Sequence, residues 1–259
     1  MSTQLAQPAS AGIIKLAEQP SIRQRIESVL GARANQFVTS VVQVTQGNAT
    51  LQKCEPGSIL ASAMVAATLD LPVNPSLGFA YIVPYAGKAQ FQMGYKGFIQ
   101  LAQRSGQFRR ISDVVIPAGV LVSWDPITET LELDWTKEKA GDPDGYCVYF
   151  ELVNGFSKRI FWTREKVKAH AEKYSQAYRA QRKDSPWHDG FDGMALKTVI
   201  KHALSKYAPL SIDNRMAEAI DKDQSVIDID GRQEYPDNPA LPLQSDPFAQ
   251  TETTTEEEK

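Results

Sequence analysis

The chain has 259 residues, 42% hydrophobic and 23% charged, enough to bury its own core without staples. Its two cysteines, Cys54 and Cys147, lie far apart and outside any C-x-x-C pair, which excludes a zinc ribbon, a thioredoxin-type site and a secreted disulfide scaffold. The net charge of −3 hides a split between residues 1–212, with 24 Lys and Arg against 18 Asp and Glu, and residues 213–259, with 4 against 13.

Within the first part the run 158–206 holds 12 basic and 5 acidic side chains. A basic body with an acidic tail is the pattern of a polyanion binder. The most apolar stretch, 59–69, is too short to cross a bilayer, and residues 1–10 carry neither a basic nor an apolar leader region. The expected setting is a reducing cytoplasm with no membrane partner.

Weak helical patterns begin at Ile13 and again after Ser21, read as an N-cap for 22–30. Ile59, Leu60, Ala63, Met64 and Ala67 recur at helical spacing until Pro72 forbids continuation, which predicts a buried helix. Two β-prone runs, 78–85 and 89–93, flank Ala86-Gly87-Lys88 and predict a hairpin. Gly94-Tyr-Lys-Gly97 then opens an amphipathic helix that Gly106 ends. Short β-branched or aromatic runs at 114–116, 119–124, 130–135, 146–152 and 157–162 predict an antiparallel sheet. Thr163 is the expected N-cap of a helix through Arg182, and a last helix runs from about Phe191 to Tyr207, stopped by Pro209. The expected fold class is α+β: a compact core with a hairpin and a small antiparallel sheet packed with helices, followed by a disordered acidic tail. Residues 1–54 form an N-terminal helical and oligomerisation segment, 55–212 the core, and 213–259 the tail.

Several chemistries lack their residues. Gly87-Lys88 has Ile82 where a Walker A loop needs Gly, so no P-loop is present. No acidic-x-Lys triplet of the common metal nucleases occurs before Glu257, and His170, His188 and His202 have no second metal ligand at i+4. No G-x-S-x-G elbow exists. Catalytic residues, cofactors and metals are therefore expected to be absent.

The basic and aromatic groups point elsewhere. Lys197 and Lys201, at i and i+4 on the last helix, repel each other unless an anion sits opposite, and Trp187, His188, Lys206 and Tyr207 bracket that helix. Cations for phosphate beside flat rings suit nucleic acid, although a solvated basic face with core aromatics explains the same residues. In the second segment, Gly94 and Gly97 before a helix let backbone N–H groups approach an anion, with Lys96 and Arg104 adding charge. The same glycines could equally serve a strand-to-helix turn.

Three blocks in order carry a more specific signal: Asn74-Pro-Ser-Leu-Gly-Phe-Ala-Tyr-Ile-Val-Pro-Tyr85, Gln92-Met-Gly-Tyr-Lys-Gly-Phe-Ile-Gln-Leu-Ala-Gln-Arg-Ser-Gly106, and Pro186-Trp187 leading into Met194-Ala-Leu-Lys-Thr-Val-Ile-Lys-His-Ala-Leu-Ser-Lys-Tyr207. They resemble the RecT family of phage single-strand annealing recombinases over roughly residues 55–212. The resemblance implies a phage- or prophage-encoded protein that, without ATP, coats single-stranded DNA, anneals it to a complement and holds the annealed duplex in a homo-oligomeric ring or filament. It also implies a cognate 5′ to 3′ exonuclease. The acidic tail has two readings of its own: it keeps a basic filament soluble, or it competes with DNA for the groove or docks a host single-strand binding protein or that nuclease. Carried onto this chain, the DNA groove is expected to be lined by Lys96, Arg104, Lys197, Lys201 and Lys206, with Arg109, Arg110, Tyr95, Trp187 and Tyr207 as additions. His202 stands where relatives often carry a second basic residue, which makes that phosphate contact weaker or pH-dependent. Phe79, Tyr81 and Tyr85 are assigned to the core or a subunit contact. The alternatives are a plain single-stranded DNA-binding protein and a structural oligomer.

Overall fold

A computed structural model describes residues 9–183, 185–209 and 214–235. The chain begins with three helices, α1 (Ala9–Ala17), α2 (Pro20–Leu30) and α3 (Ala34–Gln46). Helix α2 starts at Pro20 rather than after Ser21, with Gln19 at the N-cap; proline is favoured at the first helical position because its missing N–H has no helical partner there. Helix α3 was not foreseen, since Phe37, Val41 and Val44 are scattered among Asn, Gln and Thr residues that weaken the periodic signal. All three pack over α4 (Pro56–Thr68), the predicted buried helix.

The hairpin forms as predicted from β1 (Ala80–Tyr85) and β2 (Lys88–Met93), in register from Ala80↔Met93 to Tyr85↔Lys88. Ala86 and Gly87 at its tip both have positive φ, +45° and +83°, the backbone a two-residue turn between right-twisted strands requires. Small residues let α4 lie close on β2: Ser58 Oγ accepts from Ala89 N–H at 2.8 Å and Ser62 Oγ donates to Ala89 O at 3.2 Å.

Helix α5 (Tyr95–Arg104) follows, and its glycines answer a question the sequence left open. A Cβ on Gly94 would lie 2.0 Å from Gly78 O, and one on Gly97 2.2 Å from Phe79 O. Gly94 N–H donates to Phe79 O at 2.9 Å and Gly97 N–H to Gly94 O. These glycines let the helix abut the backbone entering β1, so the expected anion cradle is corrected to a packing contact.

The middle of the chain is β3 (Phe108–Ile116), β4 (Leu121–Asp125), β5 (Thr130–Leu133), β6 (Gly145–Leu152) and β7 (Ser157–Thr163); the last four lie close to the predicted runs, whereas β3 begins six residues before the expected 114–116. Strands β3-β6-β7 form one antiparallel sheet, and β4-β5 a separate two-stranded one. Thr163 caps α6 (Arg164–Tyr174), its hydroxyl accepting from Lys166 N–H at 3.2 Å. The single helix expected through Arg182 instead breaks at Ser175, whose Oγ caps a short α7 (Gln176–Arg179). After α8 (Pro186–Asp189), α9 (Phe191–Tyr207) has the predicted bounds and packs across β6, β7, β3 and α5. Its buried residues Leu196, Val199, Ile200, Ala203 and Leu204 join the main core.

The assignment of residues from 213 onward to a disordered tail is corrected in part. Residues 214–235 fold as α10 (Asn214–Lys222), β8 (Ser225–Ile227) and β9 (Gln233–Glu234), extending the hairpin into a sheet of order β1-β2-β8-β9. Met216, Ala219, Val226 and Ile227 are buried, apolar positions that the segment's acidic average conceals. The remainder of the expected tail, 236–259, lies outside the described residues.

Candidate nucleic-acid interface

Helix α9 positions its two paired lysines against an internal anion. The Asp223 carboxylate, with no exposed side-chain surface, has Lys201 Nζ on Oδ2 at 2.9 Å and accepts from Met93 N–H on Oδ1 at 2.8 Å. Lys197 Nζ lies 2.9 Å from Oδ1, in contact but off the hydrogen-bonding direction. Burial alone would raise the Asp223 carboxyl, but the charges of Lys197 and Lys201 outweigh it and hold the group below the usual carboxylate range. Burial draws the Lys197 ammonium below its ordinary value, with Asp223 opposing. The anion required by the i, i+4 pair is therefore a side chain of the protein. Lys197, 5% exposed, is corrected from a groove-lining residue to the interior half of an ion triad.

Lys201 is partly exposed, and around it α6 and α9 carry a strip of exposed cations over aromatic rings, of which Trp162 at the end of β7 is buried and Tyr174 exposed. Trp162 lies between the two imidazoles, 5.5 Å from His170 and 5.0 Å from His202 between centroids. Lys166 Nζ sits 4.7 Å over Trp162, and Lys173 Nζ 5.1 Å over Tyr174, which itself stacks on His170 at 4.6 Å. At the other end Tyr207 receives Lys158 Nζ at 4.3 Å and Lys206 Nζ at 5.3 Å. Lys158 is also neutralised by Glu129, whereas the exposed Lys166, Lys173 and Lys206 have no carboxylate partner among the described residues.

The imidazoles report this field. Burial, then His202, Lys201 and Lys173, push His170 down to about 4; burial, then Lys206 and Lys166, lower His202. In the unfolded chain both revert to about 6.5. Between those limits the unfolded state binds protons that the native state refuses, so native stability should fall as pH drops from about 6.5 toward 4. Urea midpoints measured across that window should decline in the parent and decline less in His170→Phe; parallel profiles would contradict this origin.

The other sequence-predicted residues are placed differently. Trp187, 8% exposed, packs edge-on against Tyr178 and Phe191 at 5.7 and 5.4 Å, so it is a core ring and not a stacking platform. Tyr95 packs against the core. Arg104 closes the end of α4, donating to Leu69 O, Asp70 O and Asp70 Oδ2, each at 3.2 Å. Arg109 pairs with Glu151 at 3.0 Å. Lys96 and Arg110 are exposed with no ion pair among the described residues, while Lys201, Lys206 and Tyr207 belong to the strip. Of the hairpin rings, Phe79 packs against the core and the Tyr85 hydroxyl donates to Gln176 Oε1 at 3.0 Å. Sequence reasoning missed Lys166, Lys173, Trp162 and Tyr174 individually, although the basic run 158–206 contains all of them.

Among the described residues no cluster of three metal-ligating side chains forms and no helix is long and apolar enough to cross a membrane. A family profile described as the RecT family matches residues 35–239. The chain is 47% identical over 210 residues to the uncharacterized protein YqaK of Bacillus subtilis, covering 81% of this chain and 72% of that protein. It is 26% identical over 225 residues to protein RecT of Escherichia coli, covering 82% and 81% respectively.

Proposed function

This chain belongs to the RecT family, and from that premise we propose that it binds single-stranded DNA along the α6–α9 strip and anneals complementary strands as a homo-oligomer, without nucleotide hydrolysis. The observation that carries the reading is the strip itself, where Lys166, Lys173 and Lys206 meet solvent unneutralised, Lys166 over the buried Trp162, Lys173 over the exposed Tyr174 and Lys206 over the half-buried Tyr207. Cations placed this way grip phosphates and carry no base information, which leaves base edges free. Trp187, buried in the core, offers no open face to a base.

Pairing then supplies the specificity. Each base-pair step contributes about 1.4 kcal/mol of stacking, so a dozen matched bases outweigh the grip of one subunit and no nucleotide need be hydrolysed. The work of the protein is to neutralise strand repulsion and align strands, the strands being supplied by a 5′ to 3′ exonuclease partner. Fluorescence annealing of two complementary oligonucleotides tests this directly: the purified chain should accelerate it without ATP, and acceleration should fade steeply with added salt. Tight strand binding with no acceleration would instead make it a plain single-stranded DNA-binding protein.

A further inference from the structure

The two-stranded arm β4–β5 presents one apolar side chain to solvent in a fixed position. Ile127 at its tip is 91% exposed. The turn that carries it is held from both ends. The Asp125 carboxylate accepts from Ile127 N–H at 2.9 Å and from the Thr128 hydroxyl at 2.7 Å, while Glu129, in the left-handed region with φ +58°, accepts from Arg159 N–H at 2.7 Å and pairs with Lys158. At the root of the arm Leu121, Trp124, Leu131 and Leu133 pack on a small core that includes Cys147 and Phe161. A lone exposed isoleucine is ordinary, but one fixed at the end of an ordered arm has little freedom left to lose on binding. Among the described residues β4 and β5 pair only with each other, and the arm, residues 121–134, carries Asp125, Glu129, Glu132 and Asp134 with no Lys or Arg.

A receptor of opposite charge lies elsewhere on the chain. Between α3, α4 and the segment entering β1 opens a cavity of about 730 Å³ whose lining includes Phe37, Val44, Leu51, Ala63, Leu71 and Ile82. At its rim Arg33 and Arg104 share a single carboxylate, Asp70, at 3.1 and 3.2 Å, which leaves one cation in excess. Residues 9–54, which supply the α3 wall, hold five basic side chains against two acidic ones. We infer that the Ile127 tip of one copy seats in the α3–α4 groove of the next, with the acidic arm lying along the basic helical wall. The inference deepens the homo-oligomer proposed above and rests on it. Knob and groove belong to different elements, and Ile127 is exposed in its own chain, so the contact runs head to tail and repeats into a ring or an open filament. An aliphatic anchor in a pocket makes the centre of such a contact. Val122 on β4 and Trp135 just after β5, each about half exposed, add area toward the roughly 1,200 Å² or more that a stable interface buries. None of Lys166, Lys173 and Lys206 stands on the arm or lines the groove, so assembly does not consume the cations of the strip.

Two single substitutions in the full-length chain test it, one on each half of the contact. Ile127→Asp removes the knob and keeps the groove, whereas Ser40→Trp, at a position of α3 that lines the cavity, fills the groove and keeps the knob. By sedimentation velocity over a concentration series, the parent should assemble beyond a dimer, and each variant alone should need at least about tenfold more protein to do so. Mixed in equal amounts at a concentration where the parent assembles, the two variants should pair one to one and stop at a dimer, because one intact knob and one intact groove remain between them. Gln43→Trp, three residues along the same helix and also lining the cavity, takes the place of Ser40→Trp if that variant unfolds at lower urea than the parent. Variants that assemble as readily as the parent, or a mixture that yields no heterodimer, would overturn the inference and leave homo-oligomerisation to another surface. A parent that stays monomeric at every concentration, with and without a single strand, would instead refute the homo-oligomer reading, and the knob and groove with it.

Discussion

Asp223→Ala should destabilise the fold by about 3–5 kcal/mol, more than replacement of either lysine it pairs with. The carboxylate is fully buried, accepts hydrogen bonds from Lys201 on α9 and the Met93 amide at the end of β2, and is in ionic contact with Lys197. Removing it strands an ammonium that is 5% exposed and leaves a buried N–H without an acceptor. Lys197→Met is the milder change, because a side chain of similar length fills the space and Asp223 keeps Lys201 and Met93. Urea unfolding should order the variants accordingly, and Asp223→Ala combined with Lys197→Met should recover part of the loss, since the stranded charge is gone. Because the native Asp223 carboxyl is held below its unfolded value, its contribution is complete above the unfolded carboxylate range and is lost as pH falls through the lower native one. An Asp223→Ala protein within about 1 kcal/mol of the parent would show that the triad holds nothing together.

The triad also marks where reading from sequence stops. Strands β3 to β7 were legible because Asp125-Pro126 and the Gly141 to Gly145 turn punctuate β-branched runs, and the bounds of α9 because Pro209 ends its pattern. Periodicity gave α9 one apolar face with its lysines outside, but the helix is enclosed by β3, β6, β7, α5 and α10, so its buried arc is wide enough to take in Lys197. Composition counted Asp223 with the tail's other acids, although it is the least exposed of the described ones, because burial is set by residues 130 positions away at Met93 and not by neighbours in sequence. The strip suffered the same limit: His170 and His202 are isolated along the chain and meet only across Trp162. What the sequence did locate was the basic run and the family's blocks, which bound the site without saying which lysines face out.

That choice of lysines has the second large consequence. Changing Lys166, Lys173 and Lys206 together to Ala should weaken single-stranded DNA binding about a hundredfold at about 0.1 M salt and reduce the salt dependence, log affinity against log salt, by about 2, at roughly 0.7 per phosphate contact on a single strand. All three are exposed and carry no ion pair with the described residues, and each loses only a cation–π contact of about 0.5–1 kcal/mol, so the variant should remain folded, which a urea unfolding curve run alongside separates from lost binding. The contrast with Lys197 is the point: its replacement would weaken binding through the core, with the fold and the salt slope as telltales. The companion variant is Lys96→Ala with Arg110→Ala, the two exposed and unpaired cations that the sequence placed in the groove. If the strip is the whole contact, this pair should change affinity less than threefold. If it matches the triple variant in affinity and slope, the strand continues from α9 over the start of α5 and the first residues of β3.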